Sequence, residues 1–126
     1  MGYLIGCLVA ALSFGLNQAM IRRIGLTTMI SYGPLLEESS KTLPAFLLGA
    51  DILAVHITFG LVEAGYDWRQ NGRTGRKAAL FSIAGHSLFG AATLFILTLS
   101  SSIWLALAAG IVAHLVWNVT VIRRYA

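Results

Sequence analysis

Charge is what this chain has least of. Only 11% of its 126 residues are Asp, Glu, Lys or Arg, against about 25% in a soluble domain. So small a supply cannot cover the core of a chain that is 57% hydrophobic. The shortage excludes a water-soluble enzyme, a nucleic-acid binder and a disordered tail. Cysteine is nearly absent too. Cys7 stands alone in an apolar run, so it forms no internal disulfide and reads as a small hydrophobe. The first twenty residues contain no charge, and Arg22 and Arg23 come only after them. A cleavable signal peptide has the opposite order, so this first run is expected to be a retained helix. Proline occurs twice, at Pro34 and Pro44, and no repeat or low-complexity segment is present.

What is there is apolar length. The mean hydropathy is +0.77, and a crossing takes about 20 apolar residues, which allows at most about six crossings. The chain reads as one all-α transmembrane domain over residues 1–126, a polytopic bundle of about five helices. The predicted spans are 3–21, 24–48, 50–66, 78–99 and 103–122. Most of the polarity falls in a predicted loop over 67–77, and Ser100, Ser101 and Ser102 form a predicted tight turn. The second span is irregular, because proline either starts or kinks a helix. It is either one helix bent at Pro34 or a helix that begins there. Either way, backbone groups freed near Pro34 must meet protein or a wet cavity.

The basic residues orient this bundle. Five crossings with the N-terminus outside put Arg22 and Arg23, Arg69, Arg73, Arg76 and Lys77, and Arg123 and Arg124 on the cytoplasmic side, together with the C-terminus. The outer connections near Gly49 and Ser100 carry no Lys or Arg, as the positive-inside rule requires. An even number of crossings would break the agreement.

Seven polar residues then lie inside the spans: Glu37, Glu38, Lys41, Glu63, His86, His114 and Asn118. A charge at the bilayer centre costs at least about 2.5 to 3.5 kcal/mol, so such residues face the bundle interior and pair. With about 100° of rotation per residue, Lys41 is expected to sit between Glu37 and Glu38, bridging both. Two carboxylates kept in different charge states are the usual equipment for acid–base work. On the third span, His56 is expected to reach the outer interface and Asp67 the inner one. Counted in turns, His86, His114 and Asn118 fall at similar depth in the cytoplasmic half. Gly85, Gly90 and Gly110 would let helices close around them. Trp117, between His114 and Asn118, is placed to shape the same region.

These residues resemble a known pattern. Pro34-Leu-Leu-Glu37-Glu38-Ser-Ser-Lys41 is similar to the P-x-x-E-E-x-x-K motif of the PrsW family of intramembrane proteases. Phe59-x-x-x-Glu63 resembles its F-x-x-x-E motif, Gly85-His86 to Gly90 its histidine helix, and His114-Leu-Val-Trp117-Asn118 its H-x-x-W-N motif. The four stand in the family's order and cover residues 34–118. Ala64 stands where members usually carry an asparagine. The related CAAX prenyl endopeptidase and bacteriocin-processing superfamily has an arginine after its glutamate pair and F-x-x-x-H, so Lys41 and Glu63 favour the PrsW side. The resemblance implies peptide-bond hydrolysis in a prokaryotic cytoplasmic membrane, on a membrane-anchored substrate such as an anti-sigma factor, with no nucleic-acid partner.

It also implies a catalytic set of Glu37, Glu38, Lys41, Glu63, His86, His114 and Asn118. Glu37 or Glu38 would be the base and Lys41 would tune the pair. The histidines and Asn118 would hold water or the oxyanion, and Glu63 would act as a second acid or orient a histidine. Without H-E-x-x-H the expectation is a metal-free glutamate mechanism, with no cofactor. If zinc or another divalent metal is used, Glu63, His86 and His114 form its ligand set. Two other classes compete: a proton- or metal-coupled transporter, since Glu–His chains also relay protons, and a non-catalytic scaffold or immunity-type protein.

Overall fold

The computed structural model describes residues 1–125, and side chains for all of these except 26–29, 122 and 125. Among the described residues there are four helical elements: α1 (Gly2–Ile24), α2 (Leu26–Leu47), α3 (Ile52–Ser100) and α4 (Ile103–Tyr125). The protein is all-α. Three of the four, α1, α3 and α4, are long and apolar enough to cross a membrane, the property expected of an integral membrane protein.

The count of five helices is therefore replaced by four elements, because the predicted third and fourth helices are one. The polar stretch from Asp67 to Lys77 is helical on both sides of Gly72, which alone departs from helical geometry (φ 54°, ψ −123°). Hydrophilic residues at helix ends stay helical where water solvates them, so polarity did not mark a loop there. The single break suffices to fold α3 back on itself. Gly60 in its first arm meets the backbone of Ser82 and Ile83 in its second, and buried Gly75 packs on the Asp67 carbonyl with no room for a Cβ. α2 carries Glu37, Glu38 and Lys41 in its middle, and it is not among the three apolar spans.

Glycine also separates α1 from α2, since Gly25 has φ 85°, a conformation with little penalty only for glycine. The helix does not begin at Pro34: α2 runs through both prolines. Asp51 caps α3 by accepting a hydrogen bond from the Ala54 N–H at 3.1 Å. At its other end the Ser101 N–H reaches the Leu97 carbonyl at 2.8 Å.

The bundle is layered along its length. Ile5, Val9, Ala10, Ala45, Ile52, Val55 and Phe59 form an apolar plug at the Asp51 end. The middle holds the largest fully buried side chains, and these include Lys41, His56 and Glu38 beside Phe59 and Phe89. Leucines such as Leu4, Leu8 and Leu12 point outward instead. Polar groups inside and aliphatic groups outside is the distribution that a lipid surround allows. Beyond the ionic layer, towards Gly25 and Gly72, the interior opens into a cavity.

Candidate active site

The cavity has a volume of about 260 Å³, and its walls come from three elements. From α2 comes Glu37. The two arms of α3 supply Glu63, Ser82 and His86, and α4 supplies His114, Trp117 and Asn118. Five of the seven expected residues thus line one space. The other two, Glu38 and Lys41, lie behind it, each 0% exposed.

Those two form the site's fixed charge. Lys41 Nζ donates to Glu38 Oε1 at 2.6 Å and to His86 Nδ1 at 3.0 Å, and it lies 4.3 Å from the centre of the Phe59 ring. The expected bridge to both glutamates is not formed. Glu37 instead turns to α1 and accepts a hydrogen bond from Asn17 Nδ2 at 3.0 Å. The rotation per residue left both pairings open, and tertiary contacts selected one, because Glu38 also binds His114 Nδ1 at 2.8 Å.

Donor and acceptor inventories then assign the imidazole protons. An ammonium has donors only, so His86 Nδ1 accepts from Lys41 and Nε2 carries the proton. That Nε2 lies 2.7 Å from Glu63 Oε2 and donates to it. Glu63 accepts as well from Ser82 Oγ. His114 donates Nδ1–H to the Glu38 carboxylate, which leaves the lone pair on Nε2. A continuous polar chain results: Glu63, His86, Lys41, Glu38, His114. Its two ends and His86 reach the cavity wall.

His56 corrects the sequence expectation. It does not reach an interface but is 0% exposed, with Nε2 3.3 Å from Thr42 Oγ1 and Nδ1 3.6 Å from Glu38 Oε2. The first arm of α3 starts at Ile52, which sets His56 one turn into the helix and under the second arm, where Gly90 has no side chain to displace it. Glu38 Oε2, His56 Nδ1 and Thr93 Oγ1 are buried without a hydrogen-bond partner. Asp67 lies at the cavity mouth. Partial burial, and then the Glu63 carboxylate, raise its carboxyl above the ordinary value.

The glycines around His86 have a steric cause. A Cβ at Gly85 would stand 2.8 Å from Trp117 Nε1, and one at Gly90 would stand 2.7 Å from His56 Cβ. The histidine is held between two close approaches, one to α4 and one to the first arm of α3. Trp117 does shape the cavity, edge-on to Phe81 and Phe89 with centroids 6.2 Å away.

No family model, curated protein or solved structure matches the chain. What the site can do follows from its own groups. Among the described residues no three His, Cys, Asp or Glu side chains converge to hold a metal ion. Glu63 and His86 are hydrogen-bonded to one another, and His114 turns Nδ1 to Glu38. The cavity holds one carboxylate with a neutral amide partner (Glu37), a carboxylate–imidazole pair (Glu63–His86), an imidazole with a free lone pair (His114) and an amide (Asn118). Such groups can hold a water, take its proton and donate to a developing oxyanion.

Sequence reasoning missed Asn17, Thr42, Ser82 and Thr93. Asn17 carried a usable signal, since it and Gln18 are the two amides of a mainly apolar run. Ser82 precedes His86 by four residues and so shares its face. Thr42 and Thr93 gave none, because threonine is ordinary in a membrane helix.

Proposed function

We propose that the chain is a PrsW-like intramembrane endopeptidase that hydrolyses a peptide bond of a membrane-anchored protein in a prokaryotic cytoplasmic membrane. The observation that carries this reading is Glu37, a carboxylate at the wall of a polar cavity, with His114 and Asn118 beside it. Glu38 is engaged by Lys41 and His114 and is withdrawn from the cavity, which favours Glu37 as the base. In this mechanism Glu37 takes a proton from water as the oxygen attacks the scissile carbonyl. The Asn118 amide donates to the oxyanion. The protonated Glu37 then gives its proton to the departing amine as the C–N bond breaks. Glu63 fixes the His86 ring, and Lys41 holds the Glu38 charge that orients His114.

The topology that suits this role has five crossings. Each arm of α3 crosses once, and α2 crosses with Lys41 paired to Glu38 and Glu37 hydrogen-bonded to Asn17. The N-terminus lies outside. Arg22 and Arg23, the basic residues around Gly72, and Arg123 and Arg124 then share the cytoplasmic face.

The test uses the purified chain in liposomes with single-span substrates. Glu37→Gln should lower turnover by about 10² to 10⁴-fold with the melting temperature unchanged, and wild-type cleavage should survive a chelator. Cleavage at the wild-type rate by Glu37→Gln would overturn the assignment.

A further inference from the structure

A second cavity of about 190 Å³ also has Glu37 in its wall. Asn17, Ile30, Pro34, Glu37, His114 and Asn118 are in its wall, and the last three also line the larger cavity. The two spaces therefore share three polar wall residues. Pro34 has no N–H, so the Ile30 carbonyl, one turn earlier in α2, lacks its helical donor. Pro34 and Ile30 both line this space. A backbone carbonyl at membrane depth needs a partner, and water in a lined cavity is an allowed one. A water occupies about 30 Å³ of liquid, so several fit, and the Asn17, Glu37, His114 and Asn118 side chains offer them further hydrogen bonds.

We infer that this second cavity is a water inlet, separate from the space that receives substrate, and that it delivers water to Glu37 from the Pro34 side of α2. A peptide seated in the larger cavity would block supply from its own side. Supply from the second cavity leaves the base wet while substrate is bound. The hydration of the cavity stands on the geometry alone, and its catalytic meaning rests on the hydrolase reading.

The experiment is cysteine accessibility in the full chain, reconstituted in liposomes on a Cys7→Ser background, with a charged methanethiosulfonate reagent. Ile30→Cys is compared with Val119→Cys. At a rise of about 1.5 Å per residue these lie at similar depth from the ends of their helices, and Val119 is 43% exposed on the outer surface. Ile30→Cys should react at least about tenfold faster, as a thiol in water ionises and one in lipid does not. Equal rates would overturn the inlet. A second variant, Ile30→Trp, fills the cavity and should lower kcat about tenfold with KM unchanged, whereas Val119→Trp should change neither. An unchanged kcat in Ile30→Trp would overturn the inlet as a water supply. Absence of cleavage by the wild-type chain bears on the hydrolase reading, and the labelling result then decides the inlet by itself.

Discussion

Glu37 and Glu38 are neighbours in the chain with opposite surroundings, and substitution should separate them. Glu38→Gln removes the anion from a fully buried cluster and leaves the Lys41 ammonium without its counter-charge. Breaking a buried pair in this way costs about 3 to 5 kcal/mol, so the melting temperature should fall. Lys41→Met should be similarly harmful, because it strands the Glu38 carboxylate. Glu37→Gln meets only the Asn17 amide and the cavity, so thermal unfolding should hardly move. A melting series on the three variants checks this, and equal destabilisation by both glutamines would show that the two carboxylates share one role. Gly110 offers a steric test of the same cluster. A Cβ there would lie 2.5 Å from Thr93 Oγ1 and 3.2 Å from Glu38 Oε2, so Gly110→Ala should cost about 1 to 3 kcal/mol. Adding Thr93→Ala removes the nearer clash and should recover part of the loss, measured as a double-mutant cycle. The seven polar residues gathered in and behind the cavity were legible because charge, imidazole and amide stand out against an apolar background. Their division into a buried charge and a cavity wall was not, since it depends on His114 and Asn17, which arrive from other helices. His56 was misread for the same reason: distance from a helix end says nothing of what packs over that end.

At the scale of the helices, Gly72 carries the topology. Its dihedrals, φ 54° and ψ −123°, are accessible at low energy to glycine alone. The reversal of α3 depends on this residue, and through it the approach of His86 to Glu63, which are 23 positions apart. Gly72→Ala should cost about 1 to 3 kcal/mol of backbone strain. Because the strain acts where the two arms meet, the Glu63–His86 pair should loosen before the α1–α2 contact does. Hydrogen exchange of the α3 amides on either side of position 72, compared with those of α2, measures the order of loss. Uniform loss across the bundle would show that the hinge is not a local device. Helix existence and approximate extent were readable from apolar run length. The hinge was not, because polar composition and a one-residue glycine break look alike along the chain.

The whole molecule is asymmetric along its length, with an apolar plug at one end and the cavity, the inlet and most of the basic residues at the other. Arg69, Arg73, Arg76 and Lys77 flank the α3 hinge, Arg22 and Arg23 end α1, and Arg123 and Arg124 fall in the last turn of α4. The opposite connections, at Gly49 and at Ser101, lack Lys and Arg. If the bundle spans a bilayer, this segregation selects the orientation with the cavity towards the cytoplasm. Asn71→Cys and Ser101→Cys, each on a Cys7→Ser background, should then label from opposite sides. In intact cells an impermeant thiol reagent should reach Ser101→Cys and spare Asn71→Cys until the membrane is opened. The two arginines that end α1 and the two that end α4 also stand at helix C-termini, where the dipole favours cations. Replacing Arg69, Arg73, Arg76 and Lys77 with glutamine removes half of the eight basic residues on that face. The labelling contrast should weaken without reversing, because Arg22, Arg23, Arg123 and Arg124 still hold their ends inside. Equal labelling of the two cysteines in the unmodified background would show that the hinge and the Ser101 turn share a side, and the arms of α3 would then not span.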